Sequence, residues 1–102
     1  MRDNDGAGEV TVATFAVMMT VGDREIRDKA RPSHREYLQK QLDAGTLVTS
    51  GPYADDSGAL LIYEAASTEA LQQILNNDPY WMTTGVIDSV VIKEWNVVFQ
   101  RS

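Results

Sequence analysis

The chain has 102 residues with nine basic side chains against 15 acidic ones, a formal net charge of -6, and this length leaves room for one domain. Hydrophobic residues at 43% and charged residues at 24% match a soluble globular protein rather than a disordered one. The absence of cysteine excludes disulfides, thiolate nucleophiles, Cys-ligated zinc and iron–sulfur clusters, and is compatible with a reducing cytoplasm, where the protein is expected. The acidic balance excludes a surface built for nucleic-acid phosphates or anionic membranes.

Residues 1–9 (Met1 to Glu9) are polar and glycine-rich, so they read as a flexible tail, and residues 10–102 form the domain. The tail has no apolar signal-peptide region, and no stretch approaches the ~18 consecutive apolar residues of a membrane span. Val10 to Val21 combines β-branched and aromatic residues and predicts the first strand, ended by Gly22. Asp23 to Arg31 is dense in both charge signs and reads as an exposed connection. Pro32 at a first helical turn and Gly45 at a C-terminal cap bracket a helix of about 13 residues. Tyr37, Leu38 and Leu42 share its inner side with His34, while Glu36, Lys40 and Asp43 face outward.

Thr46 to Tyr53 and Ala59 to Ala65 predict a hairpin of strands, joined by turn chemistry at Asp55-Asp56-Ser57-Gly58. Ser67 caps a second helix with Leu71, Ile74 and Leu75 as its apolar stripe, broken at Asn76-Asn77-Asp78-Pro79. A short turn with Tyr80, Trp81 and Met82 leads to a long fourth strand, Val86 to Phe99. The order β-α-β-β-α-β predicts an α+β, ferredoxin-like fold in which two helices cover one face of a four-stranded antiparallel sheet. Strands one and four carry apolar residues on both faces, so the second face also needs a cover. A copy of the same face supplies it, giving a two-fold homodimer, and a chain that buries only roughly 60–65% of its unfolded surface gains from such a partner.

His34 is the side chain whose ordinary titration lies nearest neutral pH, which makes it the candidate proton carrier. Its place in the first turn of the predicted helix, at the positive dipole end, favours a neutral ring. The competing reading is a hydrogen-bonded core histidine. Asp78 is the candidate carboxylate partner, although an Asp-Pro pair is also an ordinary turn former. Arg24 to Lys40 holds six of the nine basic residues, but interleaved acids make it read as a solvated surface, with Arg31 close enough to His34 to matter. Tyr80, Trp81 and Trp95 are candidates for an aromatic pocket, against the plainer reading of core packing. No G-x-S-x-G elbow, Walker A loop, dinucleotide fingerprint or H-E-x-x-H motif occurs, and one histidine without cysteine predicts no metal site. The aromatic pattern of RNA-recognition domains is missing as well.

Arg31-Pro32-Ser33-His34, Leu38, Gly45, Ser50-Gly51-Pro52, Gly58, Asp78-Pro79-Tyr80, Gly85-Val86 and Lys93, in this order and spacing, resemble the YciI-like (YCII-related) family over about Val10 to Phe99. The resemblance implies a dimeric α/β barrel of two ferredoxin-like subunits, each with a pocket holding a histidine and an aspartate as an acid–base pair. Those match His34 and Asp78. The family includes a dehydrochlorinase of a chlorinated hydroxyhydroquinone, and the wider fold group holds muconolactone isomerases and small monooxygenases that often need no cofactor. The sequence departs from the family pattern in its tail, in Asp55-Asp56, and in the bulky Trp81-Met82 after Tyr80.

The expected function is a cofactor-independent lyase or isomerase acting on a small cyclic or aromatic, oxygenated compound. His34 moves the proton, Asp78 orients it, and Arg31 or main-chain donors near Gly51 hold an oxyanion. Arg31, Ser50, Gly51, Pro52 and Tyr80 are the expected substrate contacts. The alternative is a non-catalytic small-molecule-binding or accessory dimer domain, and a purely structural dimer would have its pocket filled by Trp81 and Met82.

Overall fold

The first strand sets the architecture. In β1 (Ala13–Val21), Phe15, Val17 and Met19 alternate with half-buried neighbours and are at most 3% exposed, the period-2 signature of a strand with one core-facing side. The computed structural model describes residues 11–101, so the tail expected over residues 1–9 lies outside the described residues. The chain continues through α1 (Arg24–Ala44), β2 (Leu47–Pro52), β3 (Gly58–Ala65), α2 (Thr68–Asn76), the single-turn α3 (Pro79–Met82) and β4 (Ile87–Glu94). The sheet is antiparallel throughout with order β2-β3-β1-β4, the ferredoxin-like arrangement the sequence predicts. Leu47, Leu61, Tyr63, Leu71, Leu75 and Val86 join the β1 side chains in the core between sheet and helices. Gly58 is required where β3 meets β1, because a Cβ there would stand 2.0 Å from the Met19 carbonyl oxygen.

β1 starts at Ala13 rather than Val10, the turn expected at Tyr80 to Met82 is the single-turn α3, and two element boundaries differ more widely from the sequence-based reading. The first helix starts at Arg24 rather than Pro32, with Asp23 as its cap: the Asp23 carboxylate accepts from the Ile26 N–H at 3.0 Å. Pro32 therefore lies inside α1, where it normally costs roughly 3 kcal/mol. That cost is opposed by a continuous inner side of Arg27, Ala30, His34 and Leu38 that only an unbroken helix aligns. Arg24 to Arg31 is thus helical, with Asp23 as its cap, rather than an exposed connection. His34 sits in the middle of a 21-residue helix, too far from either end for the helix dipole to act on its ring. The helix closes as predicted at Gly45, whose φ of 86° is the left-handed cap conformation.

The fourth strand stops at Glu94 rather than Phe99. Trp95 donates its N–H to the Thr14 carbonyl at 2.7 Å, and β1 begins at Ala13, so among the described residues no strand lies opposite the later ones. Val98 and Phe99 are exposed. Within β4, Val90 and Ile92 pack toward the core while Val91 is 48% exposed on the other face. The uncovered sheet face forms a shallow apolar groove with Ala16, Met18, Leu60, Ile62 and Trp95 along it. Among the described residues, no helix is long and apolar enough to cross a membrane.

Candidate active site

Asp78 occupies the junction between α2 and α3, where Asn77 caps the first helix and Pro79 opens the second. Its carboxylate caps α3 by accepting the Tyr80 N–H at 2.9 Å through Oδ1, and the residue is completely buried. The same oxygen lies 2.7 Å from Nδ1 of His34, delivered from α1. The Tyr80 ring stacks on the imidazole with 3.5 Å between centroids and 3° between planes. One short helix therefore fixes both the carboxylate and the ring plane of its partner.

A carboxylate is an acceptor only, so this contact puts the proton of a neutral imidazole on Nδ1 and the lone pair on Nε2. Nε2 has no hydrogen-bond partner among the described residues and is not sealed from solvent. Among the described residues, the second oxygen of Asp78, Oδ2, is buried without a partner, as is the hydroxyl of Tyr63. Burial, and secondarily the Asp78 charge, push the Tyr63 phenol far above its ordinary range, and the same two causes raise Tyr37. Both phenols stay protonated at neutral pH, and Tyr37 donates to the Ile74 carbonyl at 2.6 Å.

His34 opens onto a cavity of about 480 Å³ between α1 and the hairpin. The structure brings Arg31, Ser50, Gly51, Pro52 and Tyr80 together on its walls, with Asp78 behind the imidazole rather than in the cavity. Of the three aromatic candidates only Tyr80 borders it. Trp95 lies on the opposite sheet face, Trp81 packs against the core and Met82 is 67% exposed, so the latter two do not fill the cavity.

The basic stretch is more than the solvated surface that its sequence suggests. Arg27 is buried at 3% exposure, donating from Nε to Asp28 at 2.8 Å and from Nη2 to Asp56 at 2.7 Å. Asp56 adopts a positive φ of 62° in the β2–β3 turn and also faces Arg31 at 3.6 Å and Arg24 at 4.0 Å. The Arg27 hydrogen bond holds the Asp56 carboxyl below its ordinary range, and hydrogen bonds from Ser57 do the same for Asp55. Sequence reasoning missed Arg27, Arg35 and Leu38 as residues of the cavity and Asp56 as the partner of Arg27. The signal was the three-to-four spacing of Arg24, Arg27, Arg31, His34 and Leu38, legible once Asp23 is taken as the helix cap.

A model of the YCII-related domain matches residues 12–96. Protein YciI of Escherichia coli is 35% identical over 85 residues, covering 74% of this chain and 86% of that protein. The Emericella nidulans protein named derivative of benzaldehyde biosynthesis cluster protein C is 33% identical over 69 residues, covering 57% of this chain and 70% of its own length. Among solved structures, the 5-chloro-2-hydroxyhydroquinone dehydrochlorinase of Burkholderia phenoliruptrix, in complex with 2,5-dihydroxybenzoquinone, superposes with a TM-score of 0.71 at 22% identity, covering 81% of this chain and 93% of that chain. A dimeric ferredoxin-like protein from an uncultured marine organism gives 0.55 at 15% identity, covering 90% and 94%. Both structural likenesses are likenesses of fold.

Proposed function

The chain belongs to the YCII-related domain family, and on that premise we propose that it is a cofactor-independent lyase or isomerase for a small cyclic or aromatic, oxygenated compound. The observation that carries this reading is the 2.7 Å contact between His34 Nδ1 and the buried Asp78, beside an open cavity. Nε2 of His34 takes a proton from a substrate carbon or hydroxyl, and the Asp78 carboxylate stabilises the imidazolium that forms. Returning that proton to another atom completes an isomerisation; loss of a leaving group from the neighbouring carbon as the double bond forms completes an elimination. Arg31 or main-chain N–H groups near Gly51 stabilise the developing oxyanion, and Ser50, Pro52 and Tyr80 shape the walls. The names of two similar proteins, one from a benzaldehyde-derivative cluster and one a hydroxyhydroquinone dehydrochlorinase, support an oxygenated ring as the substrate class.

The protein works in the cytoplasm as a homodimer joined through the uncovered sheet face, where Leu60, Val91 and Trp95 are 38–48% exposed. Leu60→Glu yields a monomer in sedimentation if this is right. For the chemistry, the purified protein is screened against hydroxylated quinones, phenols and lactones. His34→Ala lowers the turnover found by about 10²–10⁴-fold, the usual worth of a positioned acid–base group, with sedimentation and circular dichroism unchanged. Turnover that survives His34→Ala overturns the mechanism, and tight binding without turnover makes the chain an accessory binding module instead.

A further inference from the structure

We propose that the molecule taken by this cavity carries a carboxylate and that Arg31 reads it; the inference rests on the reading of the cavity as a substrate site. Three arginines, Arg27, Arg31 and Arg35, border the cavity from successive turns of α1. Arg27 is already committed, with a 4% exposed side chain and two carboxylate hydrogen bonds. Arg31 is not. Its Nη2 stands 3.7 Å from Asp28 and 3.6 Å from Asp56, both beyond hydrogen-bonding distance. With a side chain 31% exposed, it makes no hydrogen bond among the described residues. A guanidinium fork with donors to spare matches the two oxygens of a carboxylate better than it matches a neutral ring substituent.

The local charge agrees. Arg27 and Arg31 face Asp28 and Asp56, Arg24 also approaches Asp56, and Arg35 adds a further guanidinium, so four positive charges stand against two negative ones in a chain whose formal charge is -6. An anionic group suits that wall. The facing wall is apolar at Leu47, Pro52 and Leu61, which suits the ring that bears the carboxylate. Arg31 and His34 border the same cavity from adjacent turns of α1, so a molecule held by its carboxylate at Arg31 lies in the space onto which His34 opens.

Benzoate and its neutral isostere benzamide are titrated separately into the dimer, with binding read from the His34 ring signals in NMR and from calorimetry. Benzoate binds at least tenfold tighter than benzamide. Arg31→Gln removes that preference, and Arg31→Lys, which keeps the charge but loses the fork, retains only part of it. Equal affinity for the two probes, no binding of benzoate at millimolar concentration, or an unchanged preference in Arg31→Gln each overturns the proposal. Failure of the acid–base reading is a separate result: His34→Gln then leaves turnover intact, and the benzoate preference persists in that variant.

Discussion

Two turns each send a carboxylate to α1, and they do so in different physical settings. Asp78, from the α2–α3 junction, is wholly buried, meets one imidazole at 2.7 Å and is fixed by the backbone of α3. Asp56, from the hairpin turn, has a 42% exposed side chain shared among Arg27, Arg31 and Arg24 at 2.7, 3.6 and 4.0 Å. A dry contact with one partner holds a single geometry, because its carboxylate has no solvent to fall back on. A wet contact with three partners trades one for another at little cost. The first suits a proton-transfer pair and the second suits a wall that must release a guanidinium to a ligand.

The largest expected effect comes from breaking the dry contact. Asp78→Ala removes the α3 cap, worth about 1 kcal/mol, and a buried hydrogen bond of about 1.5–3 kcal/mol, so urea denaturation reports a loss of about 3 kcal/mol. Asp78→Asn keeps the cap and loses less. If Asp56→Ala costs as much as Asp78→Ala, the contrast between the two turns collapses. Next in size is Arg27→Ala, which deletes two hydrogen bonds and the buried stem of the side chain; a loss of about 1–3 kcal/mol in the same assay is expected.

The two regions also separate along the pH axis. The folded-state carboxyl of Asp56 titrates below its ordinary 3.8, so its stabilisation is complete above that value and is lost as pH falls through the folded one. Asp55 acts in the same direction, and Asp56→Asn flattens part of this acid arm. The phenol of Tyr63, beside the dry site, is raised above its ordinary 10.0, so stability is complete below pH 10.0 and declines as pH climbs above it. Tyr63→Phe removes its share of that alkaline arm, and the share of Tyr37, raised by the same causes, remains. Thermal melts across pH in the wild type and the two variants assign each arm to its region.

The same contrast explains what could be read from the sequence. The strands, Gly45 as cap, and the His34–Asp78 pairing rest on local patterns and on a family motif whose spacing survives folding. The start of α1 was not legible, because Pro32 is a strong helix-opening signal and its local chemistry outweighed the Asp23 cap nine residues before the expected start. Once that helix is cut short, Arg27 becomes a loop charge and its burial against Asp56 cannot be foreseen. The end of β4 was equally hidden, since the apolar run to Phe99 has full strand character and only the start of β1 limits its pairing. The cavity's walls were legible residue by residue in Arg31, Ser50, Gly51, Pro52 and Tyr80, but the unspent guanidinium is a matter of distances.

Ionic strength gives the smallest and most discriminating effect. At about 1 M salt the Debye length falls to about 3 Å, shorter than the 3.7 Å between Arg31 and Asp28, whose side chains are 31% and 59% exposed. An exposed pair of that kind contributes at most about 1 kcal/mol, so the wild type loses only a fraction of that amount on adding salt. Asp28→Asn, lacking one of the charges, loses less still. Asp78 is completely buried at this contact, and the stability difference between wild type and Asp78→Asn is therefore expected to be the same at low and high salt. A difference that shrinks with salt would mean that solvent reaches Asp78, and the buried carboxylate could not then hold His34 in one orientation.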